Sequence, residues 1–260
     1  SFSNRGGSVV VGCRSWLTME LPDVTLNQTI YCTPGHGAHF GTVDDLTIIV
    51  YVSGLNGAMA RASACRRRAD TLTPIVGFIH FSDDYLDRLV ESGKLTGTAV
   101  HEIAHVLGFG ITWDRLNLTN GRLPNPHFTG SRAIAAFNAA GGTSYTRPKV
   151  PTTNNFSHWP GSIFSPEVMS STSHFAVRDP LSAVTLAALA DMGYVVDLSY
   201  AEDFSISNTG SMAADATPEN VIYRGDDVHR GPVVLVDRNG RTVRVIPRFL
   251  ALSAQRCGMA

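Results

Sequence analysis

The chain has 260 residues, of which 43% are apolar and 17% are charged, and its formal net charge is −1. This length is sufficient for one large domain, or for two subdomains that share a cleft. The near-zero charge predicts no nucleic-acid partner, and no apolar run approaches the roughly 20 residues that span a bilayer. We therefore expect a monomer without a membrane span.

The first 110 residues alternate strand patterns with helical patterns. Strands are predicted where β-branched apolar runs lie between turn residues, at 8–12, 46–53 and 73–81. Helices are predicted from capping residues at their starts and glycines at their ends, at 83–90 and from Thr96 or Thr98 to Gly108 or Gly110. This alternation favours an α/β layer structure. The basic run at 66–68 is predicted to be a solvated turn.

The rest of the chain is richer in prolines and loops. The regular elements predicted there are two helices and a hairpin around Asn239-Gly240, at 131–140, 181–192 and 232–249. This change in character predicts an N-terminal subdomain at 1–110 and a loop-rich C-terminal subdomain at 111–260.

Four cysteines, Cys13, Cys32, Cys65 and Cys257, form no CxxC pair, which argues against a cysteine zinc site. Their even number predicts two disulfides. Cys13 and Cys32 bracket a short loop and are the natural local pair, which leaves Cys65 for Cys257. The low lysine content and the high Ser, Thr, Gly and Asn content favour a secreted protein. The chain starts at Ser1 without a charged-then-apolar leader, so we expect that a targeting signal has been removed.

The sequence HEIAHVLGFG at 101–110 places two histidines four residues apart in an apolar run. On a helix, His101 and His105 share one face, so both imidazoles can bind a single metal ion. Glu102 is rotated by about 100° from His101 and can reach a water on that ion without being a ligand. A metal also makes the burial of these polar groups tolerable. The spacing therefore predicts a zinc site with Glu102 as the general base.

A catalytic zinc site needs a third protein ligand and an open position for water. In the compact HExxHxxGxxH pattern the third histidine would fall at position 111, which is Ile111 in this chain. The candidates elsewhere in the sequence are His127, His158, His174, His229, Asp114 and Glu167. Spacing alone does not choose among them.

The segment HEIAHVLGFGITW, followed after a gap by HWPGSIFSPEVMSS at 158–171, resembles the leishmanolysin family of metzincin peptidases. In that family an insertion separates the helix glycine from the third zinc histidine. A tryptophan follows that histidine, and a Met-turn comes a short distance later. His158-Trp159 is similar to the first feature and Met169 to the second. The resemblance extends over about 44–200.

The resemblance implies a metzincin-like α/β (α+β) fold. Its N-terminal subdomain would hold a twisted mixed sheet and the zinc helix, and its C-terminal subdomain a Met-turn, a helix and a hairpin. The residues it implies for the site are the Zn²⁺ ligands His101, His105 and His158, the base Glu102 and the Met-turn residue Met169. The implied function is that of a secreted zinc endopeptidase, which hydrolyses peptides through a zinc-bound water activated by Glu102. Tyr145 and Tyr194 are candidates for a second oxyanion donor.

Several alternatives stay open. His174 is the main rival of His158 as third ligand. The same fold could form a latent or inactive zinc-binding adhesion module. Peptide deformylases also carry HExxH and take a ligand from a cysteine, for which Cys65 is the candidate. Arg256-Cys257-Gly258 resembles the cysteine switch of matrix metalloproteinase propeptides, so Cys257 could plug the zinc.

Overall fold

A computed structural model of the chain describes residues 8–9, 17–18, 23–30, 32, 39–121, 124–206, 220–225 and 227–247. The strands are β1 Ser8–Val9, β2 Leu17–Thr18, β3 Val24–Ile30, β4 His39–Val43, β5 Thr47–Ser53, β6 Ala60–Arg68, β7 Pro74–Ser82, β8 Thr119–Asn120, β9 His127–Phe128, β10 Thr172–His174, β11 Val195–Val196, β12 Val221–Tyr223, β13 Val233–Val236 and β14 Thr242–Ile246. The helices are α1 Asp83–Glu91, α2 Leu95–Leu107, α3 Ser131–Ala139, α4 Gly161–Phe164 and α5 Ala183–Asp191, with 3-10 turns at Gly142–Ser144 and Leu198–Tyr200. Within these ranges, no helix combines the length and the apolar character needed to cross a membrane.

The largest sheet is mixed, with the strand order β1-β5-β7-β6-β13-β14 among the described residues. Strand β7 runs parallel to β5 and antiparallel to β6, and β13 runs parallel to β6. The sequence PIVGFIHFS of β7 is apolar and largely buried, as expected for a central strand. The hairpin predicted around Asn239-Gly240 forms as β13–β14 and extends this sheet. The mixed sheet fits the predicted metzincin-like fold, while the division at residue 110 stays a prediction.

Helix α2 lies between this sheet and a second apolar core. On one side it contacts β6 and β7, and Val106 packs where β7 carries Gly77. A Cβ atom at Gly77 would lie 2.4 Å from Val106 Cγ1, so only glycine allows this approach. On the other side, Ala104 and Leu107 join a cluster of aromatic side chains from the second half of the chain. Residues on α2 are therefore held from both sides.

The basic run at 66–68 is not a solvated turn, and that prediction is wrong. The run ends strand β6, and the side chains of Arg67 and Arg68 are buried. The Arg67 guanidinium donates hydrogen bonds to the carbonyls of Val106 (3.0 Å) and Leu107 (3.5 Å) at the end of α2. The last carbonyls of a helix have no partners within it, and a buried donor satisfies them.

A disulfide joins Cys32 to Cys65, with a Cα–Cα distance of 5.2 Å. Both predicted pairs, Cys13–Cys32 and Cys65–Cys257, are therefore wrong, although Cys13 and Cys257 themselves lie outside the described residues. The β3–β4 hairpin packs its apolar side chains against the sheet near Cys65, which brings together two cysteines 33 residues apart. Because the Cys65 sulfur is bonded to Cys32, it does not bind a metal, and the deformylase alternative has lost its candidate cysteine ligand.

Candidate metal centre

Three histidine side chains converge in the interior. His101 and His105 lie one turn apart on α2, His158 lies in the loop before α4, and all three are fully buried. Their Nε2 atoms form a triangle with edges of 3.1, 3.1 and 3.2 Å. A tetrahedral zinc ion about 2.0–2.1 Å from each nitrogen would separate them by roughly 3.3 Å. The triangle thus has the dimensions of one face of a zinc site.

The other ring nitrogen of each histidine has its own hydrogen-bond partner. The three bonds are those of His101 Nδ1 to the Val168 carbonyl (2.5 Å), His105 Nδ1 to the Phe109 carbonyl (3.0 Å) and His158 Nδ1 to the Ser157 hydroxyl (2.8 Å). Carbonyls only accept, and the Ser157 hydroxyl gives its own proton to Asn155 Oδ1. Each Nδ1 therefore carries the proton, and each Nε2 presents a lone pair. Three lone pairs that point at one another fit a cation placed between them.

The loop that carries His158 lies directly on the turn that ends α2. Gly108 ends the helix in the left-handed conformation, with φ 116°. Gly110 follows with φ 70°, and a Cβ atom there would lie 2.4 Å from the Ser157 carbonyl oxygen. The two glycines thus allow the backbone beside His158 to approach the helix that carries the other two histidines.

Met169 is fully buried in the aromatic core, next to the loop of His158. Its carbonyl accepts from the Trp159 amide (3.1 Å), and its amide donates to Glu167 Oε2 (2.6 Å). The other Glu167 oxygen accepts from Ser182 and Thr185 at the start of α5. Burial raises the pKa of Glu167 to about 7, although these hydrogen bonds oppose the shift. Glu167, a candidate ligand in the sequence, instead ties the Met169 turn to α5.

The Glu102 side chain is buried beside the histidines, and its Oε2 has no hydrogen-bond partner among the described residues. It faces a small cavity that Arg224, Ile222 and Asp227 also line. Burial and, next, the charge of Asp227 raise the pKa of the Glu102 carboxyl well above its usual range. A carboxylate in such surroundings is a stronger base than one in water.

Asp227 is the site residue that the sequence did not indicate. Its Oδ2 lies 2.9 Å from His101 Nε2 and 3.2 Å from His158 Nε2, and its Oδ1 lies 3.6 Å from His105 Nε2. No spacing pattern links Asp227 to the HExxH helix, because 126 residues separate it from His101.

The other candidates lie outside this cluster. They are His127, bound to the Asn125 carbonyl; His174, in β10; His229, edge-on to Phe78; and Asp114, which accepts from Thr119. The Tyr194 hydroxyl donates to the Leu107 carbonyl (2.7 Å), so it supports α2 rather than an oxyanion. Tyr145 stays an untested candidate, and the Cys257 plug lies outside the described residues.

Comparison with known proteins gives one family. The model of peptidase family M8, leishmanolysin, matches residues 20–120, which include the HExxH helix and three of the six strands of the large sheet. The match does not extend to His158, Met169 or Asp227. A search of curated proteins found no match. The chain is therefore leishmanolysin-like, and the family that it resembles is one of metallopeptidases.

Proposed function

We propose that the chain is a zinc-dependent endopeptidase with His101, His105 and His158 as its metal ligands. The observation that carries this proposal is the convergence of three buried Nε2 atoms whose Nδ1 partners orient their lone pairs inward. The leishmanolysin match over residues 20–120 supports a peptidase and includes two of the three histidines.

Glu102 is the proposed general base. When bound, zinc supplies a Lewis acid that lowers the pKa of a water in its coordination shell. Glu102 takes the proton from the attacking water and returns it to the leaving amine. Its unpartnered Oε2 and its place beside His101 on α2 support this role. The peptide substrate would lie extended along the sheet, next to the histidines.

Three further features belong to the proposal. Met169 forms an apolar floor beneath the metal, which its burial next to the loop of His158 supports. Two subdomains, 1–110 and 111–260, meet at α2, which has the sheet on one side and the aromatic core on the other. The protein is secreted, and the Cys32–Cys65 disulfide supports an oxidising compartment.

The test compares peptide cleavage with and without the proposed base. Fluorogenic peptides are offered to the chain and to Glu102→Ala, and both are also made with Asp227→Ala, so that no carboxylate covers the histidines. We expect Glu102→Ala to lower kcat/KM by on the order of 10²–10⁴ at equal zinc content. Glu91→Ala, at an exposed position on α1, is the control and should cut like its parent. Equal cleavage with and without Glu102 would remove Glu102 from the mechanism.

Asp227 favours a second candidate function, a zinc-binding module without catalysis. Structural zinc sites have four protein ligands, and Asp227 would complete such a set. In that case every variant would bind one zinc ion, and none would cut any peptide of the library. Cleavage that depends on Glu102 in either background excludes this candidate.

A further inference from the structure

The Asp227 carboxylate lies against all three histidine nitrogens. With their Nε2 atoms it forms a set of four possible ligand atoms that lie within 4.8 Å of one another, all from buried residues. Its Oδ2 is as close to His101 and His158 as the histidine nitrogens are to each other. These separations are close to the roughly 3.3 Å edge of a tetrahedral zinc site, and the nearest carboxylate oxygen to His105 Nε2 is Oδ1, at 3.6 Å. The position that a catalytic zinc keeps for water is therefore covered by a protein carboxylate.

The carboxylate is poorly satisfied without a cation. Its Oδ2 lies 2.9 Å from His101 Nε2 and 3.2 Å from His158 Nε2, and its Oδ1 has no hydrogen-bond partner among the described residues. Each of those rings already holds its proton on Nδ1, so Nε2 lone pairs face carboxylate lone pairs. This contact is repulsive in the interior unless a cation lies between the groups. A metal ion bound by all four residues removes this repulsion.

A structured stretch of chain brings Asp227 to this place. Residues 220–225 and 227–229, here named the cover segment, include β12, which pairs with β10. The Ala62 amide donates to the Asp227 carbonyl (3.0 Å), and the His229 amide donates to the Ala62 carbonyl (3.1 Å). The cover segment thus pairs through its backbone with the first half of β6, on the side where β13 pairs with the last residues of that strand. An extended peptide would use the same kind of pairing at a sheet edge.

Arg224 anchors the cover segment beside the site. Its buried guanidinium donates to Asp179 Oδ2 (2.8 Å) and to the Val168 carbonyl (2.8 Å), which also accepts from His101. Asp179 pairs in turn with the buried Lys94 at the start of α2 (3.0 Å). Removing one partner of such a buried network is costly. The anchor therefore holds the cover segment independently of any metal.

We propose that Asp227 is the fourth protein ligand of the metal and that the cover segment is an internal inhibitor of the proposed peptidase. The proposal rests on the proposed function, because it assumes the three-histidine metal site. The described state is latent. For activity, the Asp227 oxygen must leave its coordination position to a water oxygen, and the cover segment must separate from the first half of β6. No covalent bond is made or broken in this exchange.

The experiment measures access to the metal rather than turnover. The full chain is loaded with Co²⁺, and acetohydroxamate binding is followed by the visible absorption of the cobalt. We expect the wild type to bind acetohydroxamate about 100-fold more weakly than Asp227→Ala, as for a site that is open 1% of the time. Arg224→Met keeps Asp227 but loses the anchor, so its affinity for acetohydroxamate should lie between those of the wild type and Asp227→Ala. Asp87→Ala, an exposed acidic position on α1, is the matched control and should behave like the wild type.

Equal affinity in wild type and Asp227→Ala, at one cobalt per chain in each, would overturn the proposal. If Asp227→Ala does not fold, wild type and Arg224→Met are compared, and equal affinity there overturns it as well. Peptide cleavage by the same samples, and by the Glu102→Ala variants of the wild type and of Asp227→Ala, separates the two proposals. If the wild type binds acetohydroxamate as tightly as Asp227→Ala does and cleaves peptides in a Glu102-dependent way, the inhibitor proposal is wrong and the peptidase proposal stands. If Asp227→Ala binds acetohydroxamate more tightly than the wild type but cleaves no peptide, Asp227 stands as the fourth ligand and the peptidase proposal is wrong.

Discussion

Single hydrogen bonds decide which nitrogen each histidine turns inward. His101 and His105 donate from Nδ1 to backbone carbonyls, and these acceptors cannot be removed by a side-chain substitution. His158 instead uses the hydroxyl of Ser157, which Asn155 orients. Two of the three proposed ligands are thus oriented by the main chain, and the third by a short side-chain relay. Such partners typically change metal affinity when they are lost.

Glu167 should give the fold a specific dependence on pH. Burial raises the pKa of Glu167 to about 7 in the folded chain, while an unfolded glutamate titrates near 4.3. Between these two values the folded state holds a proton that the unfolded state has lost. The free energy of unfolding therefore falls as the pH rises from about 4.3 to 7, by up to about 4 kcal/mol.

Urea unfolding of the wild type and of Glu167→Gln at pH 5, 6, 7 and 8 measures this contribution. The other titrating groups are common to both chains and cancel in the difference. We expect the glutamine variant to gain stability relative to the wild type as the pH rises through this window. A difference that stays constant with pH would show that Glu167 is ionised throughout.

Helix α2 is the element on which the candidate site depends, and its carboxyl end is unusually well supported. Arg67 on β6 and Tyr194 after α5 both donate to the Leu107 carbonyl, and Arg67 also reaches Val106. A positive charge at this end also interacts favourably with the helix dipole. The sheet and the second half of the chain thus hold the same end of the helix, one and two residues beyond His105.

Replacing Arg67 with methionine should destabilise the protein by about 1–3 kcal/mol, because buried carbonyls of α2 would lose their donor. The pKa of Arg67 is lowered by burial to about 10, so the arginine is charged at neutral pH. Chemical denaturation of the wild type and of Arg67→Met measures this change in the free energy of unfolding. Arg238→Met, at an exposed turn position, is the control and should change stability by less than about 0.5 kcal/mol. Equal stability of the two variants would mean that water replaces the guanidinium.

For the molecule as a whole, the proposed metal joins three distant parts of the chain. Its candidate ligands come from α2, from the loop of His158 and from the cover segment, 57 and 126 residues away from His101. A cation bound to the folded state but not to the unfolded chain stabilises the fold by mass action.

Removing the metal should therefore lower the thermal stability of the whole protein. At a free metal concentration of 100–1,000 times Kd the loss is about 3–4 kcal/mol, or on the order of 10 °C in Tm. Calorimetry with and without a chelator measures it. His158→Ala, which lacks one proposed ligand, should respond much less to the chelator. An unchanged wild-type Tm would mean that the four residues hold no metal that contributes to the fold.

Features that depend on neighbours in the chain could be predicted from the sequence. The i, i+4 spacing of His101 and His105 follows from helix geometry alone, and the hairpin around Asn239-Gly240 follows from local turn chemistry. His158 came only through a resemblance to a known family, since no local rule links it to α2. The structure nevertheless brings its Nε2 within 3.2 Å of the other two.

Only the tertiary structure decided the features that long-range packing creates. Cys32 pairs with Cys65 because a hairpin folds onto the sheet, and Arg67 is buried because a helix ends above its strand. Asp227 reaches the histidines because its segment pairs with β6, which nothing in the residues around it indicates. A lone aspartate has the same sequence signature on the surface as in a metal site. What differs is the set of groups from distant parts of the chain that surrounds it.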